Sequence, residues 1–292
     1  MIISTASSEC PYCGETVCYQ SQLSYTICGK MLDFRPYGMA CIPTPVPKCP
    51  ECGFVFFDDL FSIDEIDKLK EILKFNNIFK TELDMPKYYY LARDFELLEK
   101  KIYDIIHYYQ CAIWEDNSKD RFIYKDHNTS TLESVYISTE NIIQKLFSYY
   151  DQIDVNNKNY YIYKLIKIDL LRRISKFDIA VDLIISLKNE SNFIKKKYGN
   201  LLDYQLLLIE QKDTDEHEMS ETQLVKYKNP HARMAILNIN NEKWYDLRKI
   251  PDEVKTEDFW LEVVSAHGHV FRQVLKIFKN YKMHLAAVKG DY

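Results

Sequence analysis

The chain has 292 residues, 47% of them apolar and 28% charged, with a formal net charge of −5. That balance is that of a globular protein, so disorder is not the default, and only 7 glycines argue against a turn-rich sandwich or barrel. No apolar run approaches the ~18 residues a membrane span needs, and the opening Met-Ile-Ile-Ser-Thr-Ala lacks the basic start of a secretory signal. A cytoplasmic protein with no membrane partner is expected.

Seven of the eight cysteines precede residue 53. In a reducing compartment such crowding is better explained by a metal than by disulfides. Two matched segments, Cys10-Pro-Tyr-Cys13-Gly and Cys49-Pro-Glu-Cys52-Gly, each have the form of a metal knuckle. The tight turn aims two thiolates at one point, and the glycine lets the backbone leave without a side-chain clash. Four soft ligands at Cys10, Cys13, Cys49 and Cys52 favour a tetrahedral zinc ion, although an iron–sulfur cluster uses the same ligand set. With every position filled by protein, the ion is expected to be structural. Cys18, Cys28 and Cys41 lack knuckle spacing and read as free thiols, and Cys111 as a buried helix residue.

Residues 1–60 hold the cysteines and most of the Pro/Gly punctuation, and read as short strands and turns. Ser62 and Glu65 form a capping box flanked by Phe61 and Ile66, which predicts a helix over 63–75. Asp84 before Pro86 opens a second amphipathic stretch, with apolar residues at threes and fours through Leu91, Phe95, Leu98, Ile102 and Ile106 toward Trp114. The polar segment 115–129 reads as a loop, and Ser130 with Glu133 as the start of a helix ending near Tyr150. Helices are predicted over 158–175, 178–188 and 191–211, joined by short loops like an α-hairpin array. Within it, Leu170-Leu-Arg-Arg-Ile-Ser-Lys-Phe-Asp-Ile-Ala180 resembles a tetratricopeptide turn, with Ala180 small enough to let two helices approach.

The acidic stretch 211–222 reads as a linker. Beyond it, an internal repeat pairs Leu247 with Phe271, Ile250 with Val274, Val254 with Phe278, Leu261 with Leu285 and Val264 with Val288. A short solenoid over 223–292 is expected, because the loops of this 24-residue repeat align as well as its helices; stacked repeats need a cap, and none is written after the last copy. Its apolar edge, Phe271, Val274, Leu275, Phe278, Leu285 and Val288, is the expected docking surface for another protein or a second copy, folding back on the helical domain being the alternative. The fold class is therefore mainly α: a four-cysteine zinc ribbon over 1–60, a tetratricopeptide-like α-hairpin array over 61–211, and short helical repeats over 223–292.

A zinc ribbon can bind RNA or DNA, and an accessory protein of that kind is the rival reading. Residues 1–60 carry three basic side chains against six acidic ones, a surface that repels phosphate, so nucleic acid is not expected as a partner. Lys167, Arg172, Arg173, Lys176 and Lys195–Lys197 read as a solvated basic helix face. Catalysis is not expected either. The chain has no Walker loop, dinucleotide fingerprint or nucleophile elbow, His267-Gly-His269 reads as a solvated turn, and Arg93, Asp94 and Glu96 read as surface charges.

Over residues 8–210 these segments resemble a bacterial family catalogued as domain of unknown function 2225. The resemblance is carried by the two knuckles, by Asp33-Phe-Arg-Pro-Tyr37, and by Arg172-Arg-Ile-Ser-Lys-Phe-Asp-Ile-Ala180, where Lys176 stands in place of the usual glycine. It implies a metal ribbon followed by tetratricopeptide-like helices, and no activity. The tail, with Ile250-Pro-Asp-Glu-Val-Lys-Thr-Glu-Asp-Phe-Trp-Leu and Leu285-Ala-Ala-Val-Lys, is similar to the short helical repeats catalogued as domain of unknown function 4116. A non-enzymatic interaction scaffold with a structural zinc site is the expected function.

Overall fold

The computed structural model describes residues 2–24, 26–39, 43–57, 60–76, 85–122, 130–190, 192–227, 229–240, 247, 250–274 and 278–290. Leu275, Asp84 and Cys41 lie outside them. The chain is mainly helical, with a small N-terminal sheet region, and it divides into two compact units. The first holds residues 1–183 with 214–216, and the second holds 184–213 with 217–292. Among the described residues no helix is long and apolar enough to cross a membrane.

The first unit opens with the antiparallel pair β1 (Ile2–Glu9) and β2 (Thr16–Ser24), which the first cysteine knuckle joins. A second pair follows, β3 (Thr26–Lys30) with β4 (Pro36–Met39). Helix α1 (Ile63–Asn76) begins where the capping box predicts: Ser62 N–H donates to Glu65 Oε2 at 3.0 Å, and Glu65 N–H to Ser62 Oγ at 3.3 Å. Ile66, Leu69 and Leu73 of this helix share one core with Cys10, Val17, Cys49, Phe54 and Phe56, and Phe61 packs against it. The ribbon alone is too small to bury its apolar side chains, and α1 completes that burial.

The predicted amphipathic stretch from 86 to 114 is two helices, α2 (Lys87–Leu97) and α3 (Ile102–Phe122). Glu99, at φ 53°, turns the chain between them. Its N–H reaches the Glu96 carbonyl, and Lys100 N–H reaches that of Phe95, the bond pattern of a Schellman cap. The predicted loop over 115–129 is also corrected in part, since α3 runs on through Phe122 before leaving the described residues. Tyr88 and Tyr90 of α2 are buried, and the Tyr88 hydroxyl donates to the Thr44 carbonyl at 2.7 Å, tying α2 to the approach of the second knuckle.

Helices α4 (Ser130–Tyr150), α5 (Tyr160–Arg173), α6 (Phe177–Glu190) and α7 (Asn192–Glu210) follow close to their predicted bounds. Ser175, at φ 59°, ends α5 with the same cap as α2, and Ala180 at the start of α6 is fully buried.

In the second unit, a 3₁₀ helix (Met219–Lys226) occupies part of the expected linker and packs against α7. Then come α8 (Pro230–Asn240), α9 (Glu257–Ala266) and α10 (Tyr281–Gly290), with a 3₁₀ helix (Gly268–Gln273) between the last two. These three helices begin alike. Side-chain oxygens of Asn229, Thr256 and Asn280 accept from the N–H groups of Ala232, Phe259 and Met283 at 3.2, 3.3 and 2.9 Å. Successive helices are also tied at these ends: Asn229 N–H donates to Glu262 Oε2 at 2.9 Å, and Asn280 Nδ2 to Glu257 Oε1 at 2.6 Å. Their core joins Ala232, Ala235, Ile236, Phe259, Trp260, Val263, Val264, Val270, Val274, Met283 and Ala286. Gly290 lies against the Val264 carbonyl, where a side chain would collide with backbone.

Candidate metal centre

The two knuckles are built alike. Cys10 N–H donates to the Glu15 carbonyl and Cys49 N–H to that of Phe54, both at 2.8 Å. Gly14 N–H returns to the Cys10 carbonyl and Gly53 N–H to that of Cys49, at 2.8 and 2.9 Å. Both glycines take positive φ, 81° and 74°, where an L side chain is strained. Each turn closes a ribbon, paired Glu9 with Thr16 in the first and Lys48 with Val55 in the second.

The four sulfurs lie within 4.8 Å of one another, with Cys10 Sγ to Cys52 Sγ and Cys13 Sγ to Cys49 Sγ both 3.6 Å. A zinc–thiolate tetrahedron with bonds of about 2.3 Å separates its sulfurs by about 3.8 Å, whereas a disulfide needs about 2.05 Å. The observed spacing fits one mononuclear tetrahedral ion. A polynuclear iron–sulfur cluster would set its own irons and sulfides between the thiolates and hold some of them farther apart. Among the described residues this is the one group of three or more His, Cys, Asp or Glu ligands gathered so closely.

The electrostatics are compatible with a cation at this site. Burial pushes the Cys10 and Cys52 thiols up, against the pull of backbone N–H groups. At Cys49 burial is outweighed by hydrogen bonds from the Cys52 and Glu51 N–H groups, and its thiol moves down. Neighbouring thiols in so small a space cannot all ionise unless a positive charge sits between them. Cys10 and Cys49 are buried, Cys52 is partly so, and Cys13 is exposed. Cys18 and Cys28 are exposed on their strands, and Cys111 is buried in α3, as expected.

A second constellation joins the segments that carry the family resemblance. Arg35 Nη2 donates to Glu216 Oε2 at 2.6 Å, and Arg173 Nη2 lies 3.3 Å from Glu216 Oε1. Arg173 Nη1 lies 3.5 Å from Asp33 Oδ2, and Arg172 Nη2 donates to Asp169 Oδ1 and to the Asp215 carbonyl, both at 2.8 Å. Burial raises the Asp33 carboxyl above its usual range, while Arg173 and Arg35 oppose it. Three guanidinium groups face three carboxylates, so the network balances its own charge and pins the β3–β4 turn to α5. The reading of Arg172 and Arg173 as a solvated basic face is thus corrected: Arg172 is fully buried and Arg173 nearly so. Arg93 and Asp94 are corrected too, being a buried pair with Arg93 Nη2 donating to Asp94 Oδ1 at 2.8 Å.

The expected docking edge divides. Val274 is buried in the core of the second unit, and Phe271 and Phe278 pack against that core. Leu285 and Val288 are exposed on α10, where Tyr281 joins them. The His267–His269 segment enters a 3₁₀ helix; burial, with His269 nearby, holds His267 below the ordinary imidazole value.

Comparison with protein-family models, curated proteins and solved structures finds no match.

Proposed function

We propose that this chain is a non-enzymatic protein-interaction scaffold, built on a zinc-clipped ribbon, a tetratricopeptide-like array and a short C-terminal solenoid. Zinc is favoured because four thiolates fill the tetrahedron and leave no site for water or substrate. Cys10, Cys13, Cys49 and Cys52 would hold the ion, and its role is to fold the ribbon. Protein purified without added metal should carry about one equivalent of zinc; less than half an equivalent in elemental analysis overturns the assignment.

The interaction reading is carried by one difference between repeat-equivalent residues. Val264 of α9 is 0% exposed, whereas its counterpart Val288 of α10 is 58% exposed. Leu261 packs against the core, whereas its counterpart Leu285 is 43% exposed. The exposed apolar positions Leu285 and Val288 on α10, with Tyr281, suit an amphipathic helix of another protein. Residues four and three apart, 281, 285 and 288, share one helix face. Leu285→Glu with Val288→Glu in the full chain should leave helicity intact and abolish capture of the partner from the native host. Capture with unchanged affinity refutes this surface, and sedimentation shows whether the occupant is a second copy. Submicromolar, salt-sensitive binding to RNA or DNA would favour the rival accessory role.

A further inference from the structure

The acidic stretch after α7 is folded around an imidazole. His217 Nε2 lies 3.1 Å from Asp213 Oδ2, and His217 Nδ1 lies 2.9 Å from Glu221 Oε2. The Tyr204 hydroxyl of α7 donates to that same Glu221 oxygen at 2.6 Å, with its ring edge-on to the imidazole. Glu221 Oε1 accepts from Glu218 N–H at 2.9 Å, closing the capping box of the Met219–Lys226 helix. One chain of hydrogen bonds therefore joins α7, the turn after it and the 3₁₀ helix.

The protonation state follows from donor counting. A neutral imidazole has one N–H and one lone pair, and ionised carboxylates only accept. With a carboxylate oxygen at hydrogen-bond distance from each ring nitrogen, both bonds exist only if the ring carries two protons or one carboxyl keeps its own. The relay must hold one proton more than a neutral histidine with two carboxylates. The two carboxylates sit on opposite ring nitrogens, so they cannot close on a single metal ion, and the proton is the ligand this geometry suits. The groups facing the ring are Asp213 from the turn, Tyr204 from α7 and Glu221 from the 3₁₀ helix. From α8, which also packs on the 3₁₀ helix, the titratable side chains are His231, which is exposed, and Arg233.

We propose that Asp213, His217 and Glu221 form a proton-operated latch that locks the Met219–Lys226 helix onto α7 at mildly acidic pH, while the relay holds its extra proton, and releases it as the pH rises and that proton is lost. The direction agrees with the electrostatics. Burial, which would lower His217, is outweighed by Glu221 and Asp213, which raise it above the ordinary 6.5. Burial would raise Glu221, yet His217 and Tyr204 draw it below the ordinary 4.5. The histidine's stabilisation is complete below its unfolded value and is lost as pH rises through the raised folded value. That of Glu221 is present above its unfolded value and is lost as pH falls through the depressed one. The latch is closed between those limits.

Hydrogen exchange on the full chain, corrected for intrinsic rates, tests this. Protection of residues 219–226 should fall at least about threefold between about pH 6 and about pH 9, the range across which a raised histidine loses its proton. In Glu221→Gln, the amide N–H can donate to a neutral ring while Asp213 accepts from the other side, so protection should persist and its pH dependence vanish. The ring-proton shifts of His217 in the wild-type chain should titrate above the ordinary 6.5. A wild-type profile flat across that range, a Glu221→Gln chain that keeps the wild-type slope, or a titration at or below the ordinary value each overturns the proposal.

Discussion

Glu99, Ser175 and Lys212 hold positive φ values of 53°, 59° and 53°, where a Cβ crowds the backbone. In each case the two N–H bonds of a Schellman cap form without the usual glycine. Ser175→Gly should therefore stabilise the protein by about 0.5–1 kcal/mol in chemical denaturation, with relief of strain partly offset by glycine's greater freedom when unfolded. Loss of stability would show that the serine side chain is needed. The buried charges have the opposite character. Arg172→Met keeps much of the side chain's volume but removes the buried 2.8 Å guanidinium bond to Asp169, and should cost about 3–5 kcal/mol. A cost below about 1 kcal/mol would place this network in water instead. Neither feature was legible in the sequence. A left-handed position announces itself only when it is glycine, and Asp33 is far in the chain from Asp169 and Arg172, so nothing in the sequence brings it to that helical pair.

At the scale of elements, local chemistry is legible where it is self-contained. The capping box fixed the start of α1 because both of its bonds lie within one short segment, Ser62 to Glu65. The knuckles were legible for the same reason, since each turn needs only its own few residues to aim its thiolates. The break between α2 and α3 was missed because apolar residues keep their helical spacing through Leu98 and Ile102. The shared core of ribbon and α1 was also invisible, and it changes an expectation. Cys49→Ser should lose the metal and unfold the ribbon, whose folding energy is on the order of 10 kcal/mol of metal binding. Because Ile66, Leu69 and Leu73 of α1 lean on the same core, hydrogen exchange should rise in α1 as well. Fully retained protection of α1 would show that it folds without the ribbon. In the repeats, Val264→Asp should be severely destabilising and Val288→Asp nearly neutral, within about 0.5 kcal/mol of wild type. Equal effects would mean that the α10 face is covered in solution.

For the molecule as a whole, all four cysteines of the candidate metal site belong to the first unit and the core of the second unit contains none of them. Chelation should therefore raise exchange in residues 2–76 while α8 to α10 keep their protection; parallel loss in both units would contradict two separately cored bodies. Composition had indicated a helical protein correctly. The acidic stretch 211–222, by contrast, looked like a linker because a histidine flanked at four-residue spacing by two acids has no structure of its own until α7 supplies Tyr204. The Asp-x-x-x-His-x-x-x-Glu spacing was the available signal, but nothing in a linear sequence distinguishes a relay from a run of solvated charge.

The shared core of knuckles and α1 also sets an order of events during synthesis. The first knuckle leaves the ribosome with two thiols and no means of closing a tetrahedron, and it must wait for Cys52 to emerge. Even then its apolar side faces water until Leu73 has followed. Over that interval Cys10 and Cys13 of the nascent chain stand exposed without the two thiols that would complete their group, open to oxidation. The site is thus most vulnerable before it exists, and its fidelity is decided by how quickly the chain from Cys13 to Leu73 arrives.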